Sequence, residues 1–74
     1  MGREPPMRLI KHSFSLAGHR TSVALEPEFW DVLAEIAEAR GTALSALVAD
    51  LDAERQPDQP LASRLRIFAL RHRP

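Results

Sequence analysis

No cysteine occurs anywhere in these 74 residues, and that absence limits the possible folds more than any residue present. A chain this short lies near the lower limit of what folds alone, because its surface is large relative to the core it can bury. Small domains usually add a disulfide, a metal or a second chain. Disulfides and thiolate metal sites are excluded here. His12, His19 and His72 are scattered without metal-ligand spacing, so no metal or other cofactor is expected. A partner chain is the remaining staple, and the expectation is an obligate homodimer. Hydrophobic residues make up 45% of the chain, which points to a globular rather than a disordered protein.

No apolar run approaches the roughly 20 residues of a membrane span. The first residues, Met1-Gly2-Arg3-Glu4-Pro5-Pro6, lack the apolar stretch of a secretory signal. A cytoplasmic protein without membrane contact is expected. Formal charge sums to zero but is segregated. Residues 1–20 carry Arg3, Arg8, Lys11 and Arg20 against Glu4. Residues 21–54 carry Arg40 against Glu26, Glu28, Asp31, Glu35, Glu38, Asp50, Asp52 and Glu54. Residues 55–74 carry Arg55, Arg64, Arg66, Arg71 and Arg73 against Asp58. Two basic arms therefore flank an acidic middle. They either form a surface for an anionic partner or pack internally on the acidic helices.

Residues 1–8 are polar and proline-rich and read as a flexible arm. Residues 12–16 and 19–25 then alternate apolar and polar around Ala17-Gly18, which is the signature of a β-hairpin. With Ala17-Gly18 as the loop, Leu16 faces His19 and Phe14 faces Thr21. Phe14, Leu16, Thr21, Val23 and Leu25 share one face; Lys11, Ser13, Ser15, Arg20, Ser22 and Ala24 share the other. His19 reads as a turn residue, and His12 and His72 as surface residues.

Glu26-Pro27 closes the strand and opens a helix over 27–40, since proline suits the first helical position. Phe29, Trp30, Val32, Leu33, Ile36 and Ala37 form its apolar stripe, and Gly41 ends it. A second helix over 43–55 follows Thr42, a candidate N-cap. Its apolar positions are Leu44, Leu47, Val48 and Leu51. Gln56-Pro57-Asp58-Gln59-Pro60 is a breaker-rich linker. Residues 61–73 suit a third helix, with Leu61, Leu65 and Phe68 on one side. The alternation of Leu65, Ile67 and Ala69 also suits a strand.

The order strand, helix, glycine turn, helix, and the run Arg20-Thr-Ser-Val-Ala-Leu-Glu-Pro-Glu-Phe-Trp continuing without a gap to about Leu51, resemble the Arc/MetJ/CopG ribbon–helix–helix superfamily. The flanks around Phe14-Ser-Leu-Ala-Gly-His-Arg-Thr-Ser and Leu65-Arg-Ile-Phe-Ala-Leu-Arg-His resemble a smaller bacterial branch of it. The resemblance implies a mainly α fold with a short β-ribbon, spanning residues 9–55, in an intertwined homodimer. Strands of two chains would pair antiparallel, with Val23, Leu25, Phe29, Trp30, Leu33, Ile36, Leu44, Leu47, Val48 and Leu51 as dimer core. It also implies that the outward side chains Arg20, Ser22 and Ala24 contact bases in the DNA major groove, while Thr42, Ala43 and Ser45 hold a phosphate. A hairpin in each chain would widen such a paired sheet to four strands, whereas the groove admits two.

No nucleophile–base–orienter set and no phosphate-binding glycine loop can be assembled, so an enzyme is not expected. Two functions remain open. One is a DNA-binding transcriptional regulator or autorepressor. The other is a dimeric, antitoxin-like or adaptor module that keeps the fold without reading DNA. The basic C-terminal segment, Arg64, Arg66, Arg71 and Arg73, would contact phosphates, an acidic protein partner, or Asp50, Asp52 and Glu54 of its own chain.

Overall fold

A computed structural model describes residues 8–73. Apart from Arg8, the expected N-terminal arm lies outside them. Two strands come first, β1 (Ile10–Leu16) and β2 (His19–Leu25). Three helices follow: α1 (Pro27–Ala39), α2 (Leu44–Ala53) and α3 (Leu61–His72). The architecture is thus a two-stranded antiparallel ribbon backed by helices, and the segment compatible with either helix or strand is a helix.

The ribbon register sets Leu16 against His19, Phe14 against Thr21, Ser13 against Ser22 and Lys11 against Ala24. It forms through Ala17 and Gly18, with φ of 51° and 81°. Both residues lie in the left-handed region, as a type I′ hairpin turn requires. Glycine meets that demand freely; alanine adopts it at a cost of roughly 1–2 kcal/mol. Asn-Gly is the preferred pair for such a turn. Ala17→Asn should therefore stabilise the protein by about 1 kcal/mol and raise the melting temperature by about 4–8 °C. A thermal melt no higher than that of the parent would contradict the turn geometry.

The end of α1 is fixed by Gly41, at φ 69°. The Gly41 N–H donates to the Glu38 carbonyl at 3.0 Å, and the Thr42 N–H to the Ala37 carbonyl at 2.9 Å. These two bonds form a Schellman motif, which satisfies the last carbonyls of the helix. Thr42 therefore closes α1 instead of capping α2. The residue at the N-cap of α2 is Ala43, which makes no side-chain capping bond.

The core lies between the inner face of the ribbon and the three helices. Phe14, Leu16, Val23 and Leu25 meet Trp30, Leu33, Ile36, Leu47, Val48, Leu51, Leu65, Phe68 and Ala69 there. Leu25, Leu33, Val48 and Leu65 have no exposed surface at all within the single chain. β1 and α3 both add apolar surface to this core within the single chain. Of the ten residues expected to form a dimer core, only Phe29 and Leu44 remain half-buried; the other eight are enclosed by their own chain.

Side-chain bonds pin the outer elements to this core. The Trp30 indole N–H donates to the Ile10 carbonyl at 2.7 Å, tying α1 to the start of β1. The His12 ring stands edge-on to Trp30, 4.4 Å between centroids, although His12 itself is exposed. Arg66 of α3 donates from Nε and Nη2 to the two carboxylate oxygens of Glu26, at 3.0 and 3.4 Å. The backbone N–H of Glu26, and next the Arg66 guanidinium, hold that carboxyl below the usual carboxylate range. Arg55 pairs with Asp52 at 3.0 Å and donates to the Gln59 carbonyl at 2.8 Å, bracing the turn before α3.

Candidate nucleic-acid interface

Side chains alternate across a strand, so the apolar inner face dictates what the outer face shows. That face carries Lys11, Ser13 and Ser15 from β1 and Arg20, Ser22 and Ala24 from β2. All are exposed except Ala24, which is half-buried. The Ser13 and Ser22 hydroxyls are hydrogen-bonded across the strands at 2.9 Å. Lys11 and Arg20 are the two charged residues of the face, and neither makes an ion pair among the described residues. No acidic residue occurs between positions 5 and 25. The acids of the described chain begin at Glu26, beyond the ribbon. The result is a cationic, hydroxyl-bearing strip on a protein of zero net charge.

The three residues expected to hold a phosphate are also exposed, at the turn into α2. The Ala43 carbonyl accepts from the N–H groups of Ala46 and Leu47, both at 3.1 Å. The N–H groups of Leu44 and Ser45 belong to the first turn of α2, where no helical carbonyl precedes them. The C-terminal arginines divide. Arg64 reaches Glu54 at 3.1 Å. Arg66 crosses to Glu26, and Asp52 is taken by Arg55. Arg71 and Arg73 are exposed and make no ion pair among the described residues. The four arginines that form one group in the sequence are therefore split, Arg64 and Arg66 being bound to acids.

A second feature lies away from the ribbon. An apolar groove of 140 Å³ runs between α1 and α3, lined by Phe29, Val32, Ala69 and Leu70 with Glu28 and Arg73 at its rim. Leu70 is 60% exposed. Among the described residues no group of three His, Cys, Asp or Glu is placed to hold a metal ion, and no helix is long and apolar enough to cross a membrane.

A family model for the ribbon–helix–helix domain matches residues 9–73, covering the ribbon and all three helices. The chain belongs to the ribbon–helix–helix family. No curated protein and no solved structure matches it. Ribbon–helix–helix domains typically dimerise and bind DNA, and members of the family are generally non-enzymatic. In this ribbon–helix–helix chain the ribbon is formed by two strands of one chain.

Proposed function

We propose that this protein is a cytoplasmic, DNA-binding transcriptional regulator or autorepressor that inserts the outer face of its ribbon into the major groove. The observation that carries this reading is the face itself: two cations unpaired among the described residues and three hydroxyls with no acid, on a two-stranded ribbon of a width the groove admits. Arg20 presents a guanidinium able to grip guanine O6 and N7 together, and Ser22 donates or accepts at a base edge. Ala24, being half-buried, offers at most a methyl contact to thymine. The turn at Thr42, Ala43 and Ser45 supplies N–H groups for a backbone phosphate, which would set the register of the ribbon on the duplex. Arg71 and Arg73 add phosphate contacts without sequence preference.

The test is a binding selection of the purified full chain against random duplex DNA at near-physiological salt. Enrichment of a short motif supports the reading; a pool that stays random after several rounds contradicts it.

The groove between α1 and α3 favours a second reading, a module that works by association. Its occupant would be a second copy of this chain. The rim carries one acid and one base, so a two-fold-related copy would set Glu28 of each against Arg73 of the other, with Leu70 of each entering the other's groove. Such a homodimer leaves both ribbons uncovered. Leu70→Asp should then shift the sedimenting species from dimer to monomer. A parent chain that sediments as a monomer, or a variant that stays dimeric, contradicts this arrangement.

A further inference from the structure

Phe68 holds two cation-forming side chains on one ring. The ring itself is built into the core, with Phe68 only 7% exposed. The His72 ring, one helical turn further along α3, is stacked on it at 4.3 Å between centroids and 28° from parallel. The Arg40 guanidinium, from the C-cap of α1, lies over the same ring, with Cζ 5.3 Å from its centroid. A residue of the α1 terminus and a residue of α3 are thus brought together on an aromatic platform that close packing holds in place.

Charge around this platform is unbalanced. Arg40 and His72 are both exposed, and neither makes an ion pair among the described residues. The acid nearest to Arg40 in the chain, Glu38, pairs with neither of them. Glu26, Asp52 and Glu54 are taken by Arg66, Arg55 and Arg64. Arg71 and Arg73, on either side of His72, add positive charge to the same end of α3. The distances to the shared ring put Arg40 Cζ and the His72 ring centre at most about 10 Å apart, near one Debye length at 0.1 M salt. When His72 is protonated the two groups repel, and an anion between them turns that repulsion into attraction.

Packing on the ring leaves the useful atoms free. A guanidinium over an aromatic face keeps N–H groups at its edge for an oxygen ligand. A stacked imidazole likewise keeps its ring nitrogens at the edge, with one N–H when neutral and two when protonated. We propose that Arg40 and His72 form a binding site for a phosphate-type oxyanion, held between the guanidinium edge and the imidazole. Charge-assisted N–H···O bonds run about 2.7–2.9 Å, so one on each side of a tetrahedral phosphate reaches across the gap. Phe68 fixes both side chains before the anion arrives, which lowers the entropy lost on binding. The same chemistry serves a free phosphate group and the phosphodiester of a nucleic-acid backbone. The site lies off the ribbon and stands whether or not the ribbon reads DNA.

The first probe is inorganic phosphate, titrated into the full chain at constant ionic strength against chloride. Nuclear magnetic resonance follows the Arg40 Nε–H and the His72 ring signals. Both should shift together and saturate in the millimolar range, where about two charge-assisted bonds place the affinity. Arg40→Gln and His72→Gln should each weaken binding about 10-fold. Arg71→Gln removes a charge one residue from His72 and should change it by no more than about 2-fold, as for an exposed charge outside the site. Circular dichroism checks that each variant keeps the fold. The second probe is duplex DNA of random sequence. A duplex that moves the same two signals and competes with phosphate identifies the backbone phosphodiester as the ligand; a duplex that leaves them unmoved identifies a free phosphate group. The proposal is overturned if neither probe gives saturable shifts at Arg40 and His72, if chloride alone moves them as far, or if Arg71→Gln weakens binding as much as Arg40→Gln.

Discussion

Removing residues 1–16 should abolish the cooperative thermal transition of this protein. The deletion takes away β1, and with it Phe14 and Leu16, each buried to within 8% of full enclosure. Burying a side chain of this kind stabilises by roughly 1.5–3 kcal/mol. The inner face of β2 loses its partner strand, and the Trp30 indole loses the Ile10 carbonyl. Leaving that buried donor unsatisfied costs a further 1–3 kcal/mol or so. The combined loss reaches the range of the whole stability of a small domain, about 5–15 kcal/mol. Circular dichroism melts and the dispersion of amide proton shifts would show it. A truncated chain that stays folded and binds DNA more tightly than the full chain would mean that β1 is a cover over the reading face, not part of it.

Trp30→Ala should cost about 3–5 kcal/mol, the expected range for emptying a large aromatic site. Trp30 is 6% exposed and lies against His12 and Phe14 of β1, with ring centroids 4.4 and 6.0 Å away. It is the clamp between the first helix and the first strand, so its loss should loosen the ribbon before the helices. Trp30→Phe separates the two contributions. It keeps part of the packing while removing the bond to Ile10, so its cost should exceed the ~1 kcal/mol of that bond and stay below that of Trp30→Ala. Denaturant unfolding of both variants checks this. A Trp30→Ala protein as stable as the parent would place the indole outside the core.

The ribbon was legible in the sequence because period-two alternation is a strong signal and Ala17-Gly18 divides two runs of it. The faces followed from the register, and both match the structure. Glu26-Pro27 and Gly41 marked the two ends of α1 for reasons of backbone geometry that sequence carries directly. The left-handed conformation of Ala17 was not legible, since alanine gives no sign of it. Thr42 looked like a cap because threonine often is one; the bond from its N–H back to Ala37 is a tertiary fact of the Schellman turn. In residues 61–72 the period was ambiguous, and burial decides it. Leu65, Phe68 and Ala69 face the core while Ile67 and Leu70 face out, a helical spacing.

The site was legible only in part. Arg20, Ser22 and Ala24 follow from the family resemblance and not from any local pattern in the sequence. Composition and length argued for a second chain as the missing core. Neither shows how much of that core β1 and α3 supply within one chain, because that depends on how the helices cross, and crossing leaves no local pattern in a sequence.

The most direct test of the account is a nuclear magnetic resonance titration of the full chain with the duplex most enriched from a random pool. The account predicts that amide shifts concentrate at residues 11–15, 20–24 and 42–45, with the groove residues Phe29, Val32 and Leu70 unmoved. Shifts confined to the α1–α3 groove, or no shifts at concentrations where the duplex is in excess, would contradict it.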